Sequence, residues 1–223
     1  MNTPFDWDTP AGKVIDRLAQ AIRAKGLVLA EPLVVFGSAP LQLSLDKNFL
    51  SADVDIATIR HLEELKALVE ELGLAKGKAA YYVEIVASYV FRPNPNWWNR
   101  VQRERRHGIE FVFPAPIDIL LGKLHRLDEK DLKAFRLVIE KSGHPTEAEM
   151  VQELRECHEK FRPKFNGTRS DYHRNTERLW PAIYGHAIDV SKTIVQPVLT
   201  ELVAAGYEDD YQALIRTLGV PPE

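Results

Sequence analysis

The stretch Leu33–Ile59, LVVFGSAPLQLSLDKNFLSADVDIATI, limits the possible folds more than any other part of the chain. An apolar run, Leu33-Val34-Val35-Phe36, stops at Gly37-Ser38. A second run carries Asp53 and Asp55, with Val54 between them and Ile56 after. The pattern reads strand, tight turn, short apolar helix, loop, strand. Side chains alternate across a strand, so Asp53 and Asp55 share one face while Val54 and Ile56 take the other. Two residues of rise separate the two acids by roughly 6.6 Å along the backbone. Alone, an acid-apolar-acid strand end is an ordinary solvated edge and Gly-Ser an ordinary turn. Their order, and the apolar strand that each adjoins, set this stretch apart.

Two carboxylates this close repel, and one tends to keep its proton unless a cation joins them. Magnesium takes oxygen ligands and combines carboxylates with phosphates. A Gly-Ser turn opening a helix-like segment offers free N–H groups and a hydroxyl to a phosphate, and glycine lets the phosphate approach the backbone. Together these imply nucleotide chemistry. The residues resemble the Gly-Ser, spacer, Asp-hydrophobic-Asp signature of the polymerase-β-type nucleotidyltransferase superfamily. The spacer, Ala39 to Ala52, has fourteen residues, long for that family. The resemblance implies an α/β (α+β) fold, a small mixed sheet with flanking helices. It implies that Gly37 and Ser38 grip a nucleoside triphosphate and that Asp53 and Asp55 bind Mg2+ or Mn2+. It also implies a third carboxylate, from a following strand, that completes the metal site or activates the attacking hydroxyl. Glu84, the only charge in the β-rich run Ala79–Phe91, is the best positional match, and Glu110 in GIEFVF is its rival.

Before this stretch, Thr9-Pro10 reads as an N-cap and first turn, and Val14, Leu18 and Ile22 have helical spacing up to Gly26. After it, Leu62, Leu65, Leu68, Val69 and Leu72 form a helical stripe ending at Gly73. The segment RPNPNWWNRVQRERRHG has prolines that break regular structure, then Trp97, Trp98, Arg100, Arg103, Arg105, Arg106 and His107. Aromatic faces stack on bases and arginine forks bind phosphates, so it reads as a grip on nucleotide or RNA. The plainer reading is a solvated helix with a tryptophan in the core.

Two helices are expected within PAPIDILLGKLHRLDEKDLKAFRLVIEKSG. This segment resembles one found in an uncharacterised bacterial branch and in abortive-infection toxin nucleotidyltransferases. The matching residues are Asp118, Lys123, Leu124, Arg126, Lys130 and Asp131. By that likeness Lys123, with Arg126 on the same face, binds the triphosphate, and Asp131 assists near the site. The plainer reading makes Lys123 a surface lysine and pairs Asp131 with Arg126 or Lys130.

Gly143-His144-Pro145 marks a boundary, dividing a nucleotidyltransferase-like domain, 1–143, from a C-terminal helical segment, 144–223. Thr146 and Glu149 spell a capping box at the start of that segment. Helices follow over Asp171–Trp180, Pro181 to about Ala205, and Tyr207–Leu218.

The net charge of −3 provides no global basic field for nucleic acid, although a local patch is compatible with it. The single cysteine, Cys157, excludes an intramolecular disulfide. The acidic, polar N-terminus is unlike a secretory signal, and no apolar run reaches the roughly 20 residues that span a bilayer, so a cytoplasmic protein without a membrane partner is expected. P-loop, zinc and Rossmann signatures are absent from the sequence. The resemblance implies transfer of a nucleoside monophosphate to a hydroxyl of RNA, such as tRNA, or of protein, with an antitoxin or a second copy as partner. The alternatives are transfer to a small antibiotic and a non-catalytic binding module.

Overall fold

The computed structural model describes residues 4–49, 52–164 and 167–206. The described residues form two compact units, one ending at Gly122 and the other starting at Lys123.

The first unit is built on a mixed five-stranded sheet. Its strands are β1 (Leu33–Phe36), β2 (Asp53–Thr58), β3 (Tyr82–Ala87), β4 (Gln102–Arg106) and β5 (Ile109–Phe113), in spatial order β3-β2-β1-β5-β4. β1 runs antiparallel to β2 and parallel to β5, β2 is parallel to β3, and β4 pairs antiparallel with β5. This is the α/β architecture expected from the sequence. Helix α1 (Pro10–Ala24) starts where Thr9 Oγ1 accepts the Gly12 N–H at 3.1 Å, with Pro10 in the first turn. Its buried stripe, Ile15, Leu18, Ala19 and Ile22, and that of α3 (Leu62–Glu71), Leu65, Leu68 and Val69, pack with Leu33, Val35, Val54, Ile56, Val83, Ile85, Phe111 and Phe113. Those strand residues alternate along their strands, so one sheet face makes the core. Helix α2 (Ala39–Ser44) lies between β1 and β2, as the apolar spacer suggests.

Between β3 and β4 the chain departs from its sequence reading. Residues 88–101 contain two single 3-10 turns, Ser88–Val90 and Trp97–Arg100, and Gln102–Arg106 is a strand rather than part of a helix. QRERR has no apolar alternation to announce a strand. It forms one because β4 is a sheet edge, where charged side chains are tolerated on both faces and discourage further pairing.

Helix α4 (Pro116–Lys123) carries the chain from the first unit into the second, which then holds α5 (Glu129–Ser142), α6 (Glu147–Glu156), α7 (Asp171–Tyr184) and α8 (Gln196–Ala204). Both α5 and α6 begin with capping boxes, the second at Thr146 and Glu149 as the sequence predicts. Gly143, placed at a boundary by sequence, ends α5 in the left-handed conformation. Pro181 lies inside α7, and the break expected there falls instead at left-handed Gly185. A π-helical turn, Ser191–Val195, precedes α8 and leaves Pro197 near its start, where its missing N–H costs little. The expected Tyr207–Leu218 helix lies outside the described residues. No described helix is long and apolar enough to cross a membrane.

Gly12 tests the packing of α1. Glycine to alanine inside a helix gains about 1 kcal/mol in propensity. Here a Cβ would stand 2.5 Å from the Trp7 carbonyl oxygen, a backbone atom that cannot swing away. Gly12→Ala is expected to destabilise the protein by about 1–2 kcal/mol net. Urea unfolding checks this, and a stabilised variant would show that Trp7 yields.

Candidate active site

The parallel pairing of β2 with β3 places Asp53 opposite Tyr82 and Asp55 opposite Glu84. Laterally paired residues point to the same side, so Asp53, Asp55 and Glu84 stand together on the sheet face away from the core. One carboxylate oxygen from each lies within 4.8 Å of the others. The two aspartates are half-buried and Glu84 is exposed. The donors are all carboxylate oxygens without thiolate or imidazole, which suits a hard cation such as magnesium or manganese and suits zinc poorly. This acidic triad could bind a metal ion.

The turn meets the triad at Gly37. In the β1–β2 pairing Phe36 lies opposite Asp55, so the next residue starts beside that carboxylate. Gly37 has φ +70, and a Cβ built on it would overlap Asp55 Oδ2. Glycine is therefore required both for the left-handed backbone and for the carboxylate's close approach. Ser38 is buried, at 3% exposure, and precedes the first turn of α2. The second residue of α2 is Pro40, which has no N–H, so the turn's donors come from Ser38, Ala39 and Leu41.

Tyr82, which the sequence reading passed over, gives its hydroxyl to Asp53 Oδ2 at 3.4 Å. Burial, then the negative charge of Asp53, pushes its pKa above the usual phenol value. The signal for it was present: Tyr82 precedes Glu84 by two, so the alternation that exposes one exposes both to the same face.

Glu110 is not part of this group. It faces Arg105 across the β4–β5 pair, ion-paired with Arg103 at 2.8 Å and with Arg105 at 3.8 Å. Its neighbour Phe111 pairs with Leu33, at the end of β1 remote from Phe36. Of the two carboxylates suggested by sequence, the structure brings only Glu84 to the aspartates.

Asp118 is fully buried and held by both arms of Arg100, Nε to Oδ2 at 2.7 Å and Nη2 to Oδ1 at 2.8 Å. In the second unit Lys123 Nζ meets Asp131 Oδ1 at 2.9 Å, with the lysine side chain 10% exposed and the carboxylate fully buried. The helical spacing read for Lys123 and Arg126 does not hold, because α4 stops at Lys123 and Leu127 turns left-handed. Arg126 nevertheless reaches Asp128 at 3.0 Å and Asp131 at 3.4 Å. Burial alone would raise the Asp131 carboxyl. The Lys123 ammonium, the Asp128 N–H and Arg126 more than offset this and hold its pKa below the ordinary value.

With this geometry in place, comparison with known proteins identifies the family. The family described as "Nucleotidyltransferase of unknown function (DUF6036)" matches residues 13–141, more than half of the chain. The chain belongs to this nucleotidyltransferase family. No curated protein and no solved structure matches it. The match takes in the Gly37-Ser38 turn and the three acids, together with Lys123 and Arg126, and stops short of α6. The superfamily resemblance read from the sequence thus holds at the level of nucleotidyltransferases.

The Lys123–Asp131 pair has a stability consequence. Removing one partner of a buried pair strands the other charge, so Lys123→Ala is expected to cost about 3 kcal/mol, measured by urea unfolding. A carboxyl with a lowered folded pKa contributes stability that is present above its unfolded value, 3.8, and is lost as pH falls through the folded value. The wild type is therefore expected to lose more stability below about pH 4 than Asp131→Asn does. Equal acid sensitivity in the two proteins would show that this carboxyl is not held as described.

Proposed function

We propose that this nucleotidyltransferase moves a nucleoside monophosphate from a nucleoside triphosphate to an acceptor hydroxyl, with magnesium or manganese held by Asp53 and Asp55. One observation carries the reading: the Asp55 carboxylate lies against Gly37, where a Cβ would overlap it, so acids and turn adjoin at one place. A triphosphate on the turn's N–H groups would have its charge beside the acids, and only a bridging cation makes that arrangement favourable. Bound there, magnesium supplies the positive charge that offsets the phosphates and the departing pyrophosphate.

The chain's own residues do the rest. Gly37 permits close approach of a phosphate, and Ser38 and the backbone after it orient the outer phosphates. Tyr82 fixes the Asp53 carboxylate through its hydroxyl. The acceptor oxygen forms its bond to the α-phosphorus as the bond to the bridging oxygen of pyrophosphate breaks. Glu84, the exposed acid, takes the proton that the hydroxyl loses. Lys123 and Arg126, which meet Asp131 in the second unit, would add positive charge toward the triphosphate, as their likeness to toxin-type enzymes implies.

The decisive experiment combines calorimetry with label transfer. Wild-type protein is expected to bind a nucleoside triphosphate only when magnesium or manganese is present. It is also expected to move label from an α-labelled nucleotide to one fraction of total cell RNA or protein. Asp53→Asn and Asp55→Asn are each expected to lower transfer by about a hundredfold or more with the fold intact. Full transfer in both variants, or metal-independent nucleotide binding unchanged by them, would overturn the assignment.

A further inference from the structure

The residues between β3 and β4 join opposite edges of the sheet. A line of aromatic rings runs through them from the acidic triad. Phe36 stands opposite Asp55 in register and so shares its face. Phe91 packs on Phe36 with ring centres 5.0 Å apart, Trp97 meets Phe91 at 5.3 Å, and Trp98 meets Trp97 at 5.0 Å. The Arg103 guanidinium lies over the Trp98 ring, 4.9 Å from its centre. Register places Arg103 on the same face: it pairs with Val112, Val112 pairs with Val34, and Val34 is two residues from Phe36. The far end of the line is open, with Trp98 42% exposed.

Charge says what such a line receives. Arg106 is matched by Asp16 and Arg100 by Asp118, whereas Arg103 and Arg105 share the single carboxylate of Glu110. On the open face of β4 the two arginines exceed Glu110 by one charge, since Glu104 takes the other face, and they lie three strands from β2, about 14 Å across the sheet. A mononucleotide brings all its phosphates to one place, the Gly37-Ser38 turn. A second cationic group at that distance, next to an exposed indole, serves a molecule with further phosphates and a base to stack. A small antibiotic or a protein hydroxyl has neither.

We propose that Trp98, Arg103 and Arg105 seat the acceptor, and that the acceptor is single-stranded RNA. A base stacks on the exposed indole, the guanidiniums meet the adjoining phosphates, and the strand runs back across the open face so that its hydroxyl reaches Glu84. This rests on the transfer reading above and adds the substrate class to it.

The test is fluorescence anisotropy with a fluorescein-labelled single-stranded RNA 12-mer, in EDTA and without nucleotide, so that neither metal nor catalysis enters. Wild-type protein is expected to bind the single strand more tightly than the matching duplex. Trp98→Ala is expected to weaken binding roughly tenfold, and Trp98→Phe, which keeps an aromatic face, to restore most of it. Arg103→Ala is expected to flatten the slope of log affinity against log salt by about 0.7. Circular dichroism on each variant establishes that it is folded. Absence of RNA binding, equal binding of duplex, or a folded Trp98→Ala variant with wild-type affinity would overturn the proposal. So would an equal loss of magnesium-nucleotide affinity in Trp98→Ala, since that places the indole at the nucleotide. RNA binding through Trp98 in a protein that transfers no label would defeat the transfer reading alone.

Discussion

Three carboxylates held within 4.8 Å of one another repel, and a protein keeps them there only where the backbone allows no alternative. In this nucleotidyltransferase the constraint comes from the other side of the sheet. Val54, Ile56, Val83 and Ile85 alternate with the acids and are buried against α1 and α3. Slipping β2 or β3 by one residue would relieve the repulsion, but it would also turn that strand's two apolar side chains into water and its acids into the core. The apolar face thus fixes the polar one. The energy that holds the acids together is stored in the core, and a bound cation, as proposed, would release the electrostatic part of the cost.

Elsewhere, buried charges have a similar status. Asp118 is held by Arg100 and Asp131 by Lys123, each carboxylate fully removed from solvent. Such pairs add little net stability relative to apolar packing, yet removing one partner is costly, so they fix geometry. Arg100 ties the Trp97–Arg100 turn to α4, and Lys123 ties the end of α4 to the start of α5. The segment from Asp118 to Asp131 resembles toxin-type enzymes in sequence, and both of its buried acids have this local ion-pairing role whatever further task its cations perform.

The parts of the fold legible in the sequence were those where local preference and burial agree. Thr9-Pro10, the stripe of α3, the strand–turn–helix–strand stretch and the capping box at Thr146 all have chemistry that acts within a few residues. The Asp53–Asp55 face followed from alternation alone. The choice between Glu84 and Glu110 did not, because it depends on which strand neighbours β2, a long-range pairing that no local pattern encodes. Alternation put Tyr82 on the face of Glu84, but its place beside Asp53 depends on the same pairing. β4 was missed because an edge strand needs no apolar periodicity, and the α7 break moved from Pro181 to Gly185 because tertiary packing kept a proline inside a helix.

The acid-bearing face carries a requirement opposite to that of the core. On the proposed reading that face receives ions and phosphates, and so must stay wet beside Asp53, Asp55 and Glu84. Apolar contact on that face begins one strand away, where Phe91 covers Phe36 and lies beside Gly122 of α4, at which a Cβ would meet the ring at 3.4 Å. From that anchor the only way to extend cover without sealing the acids is away from them, toward β5 and β4, and that is where Trp97 and Trp98 lie. The exposed indole and the surplus arginine charge at the far edge therefore follow from one demand. If one end of the face is kept open for metal, as proposed, the thin crossing segment covers the remainder, and its outer end is the surface proposed above for the acceptor.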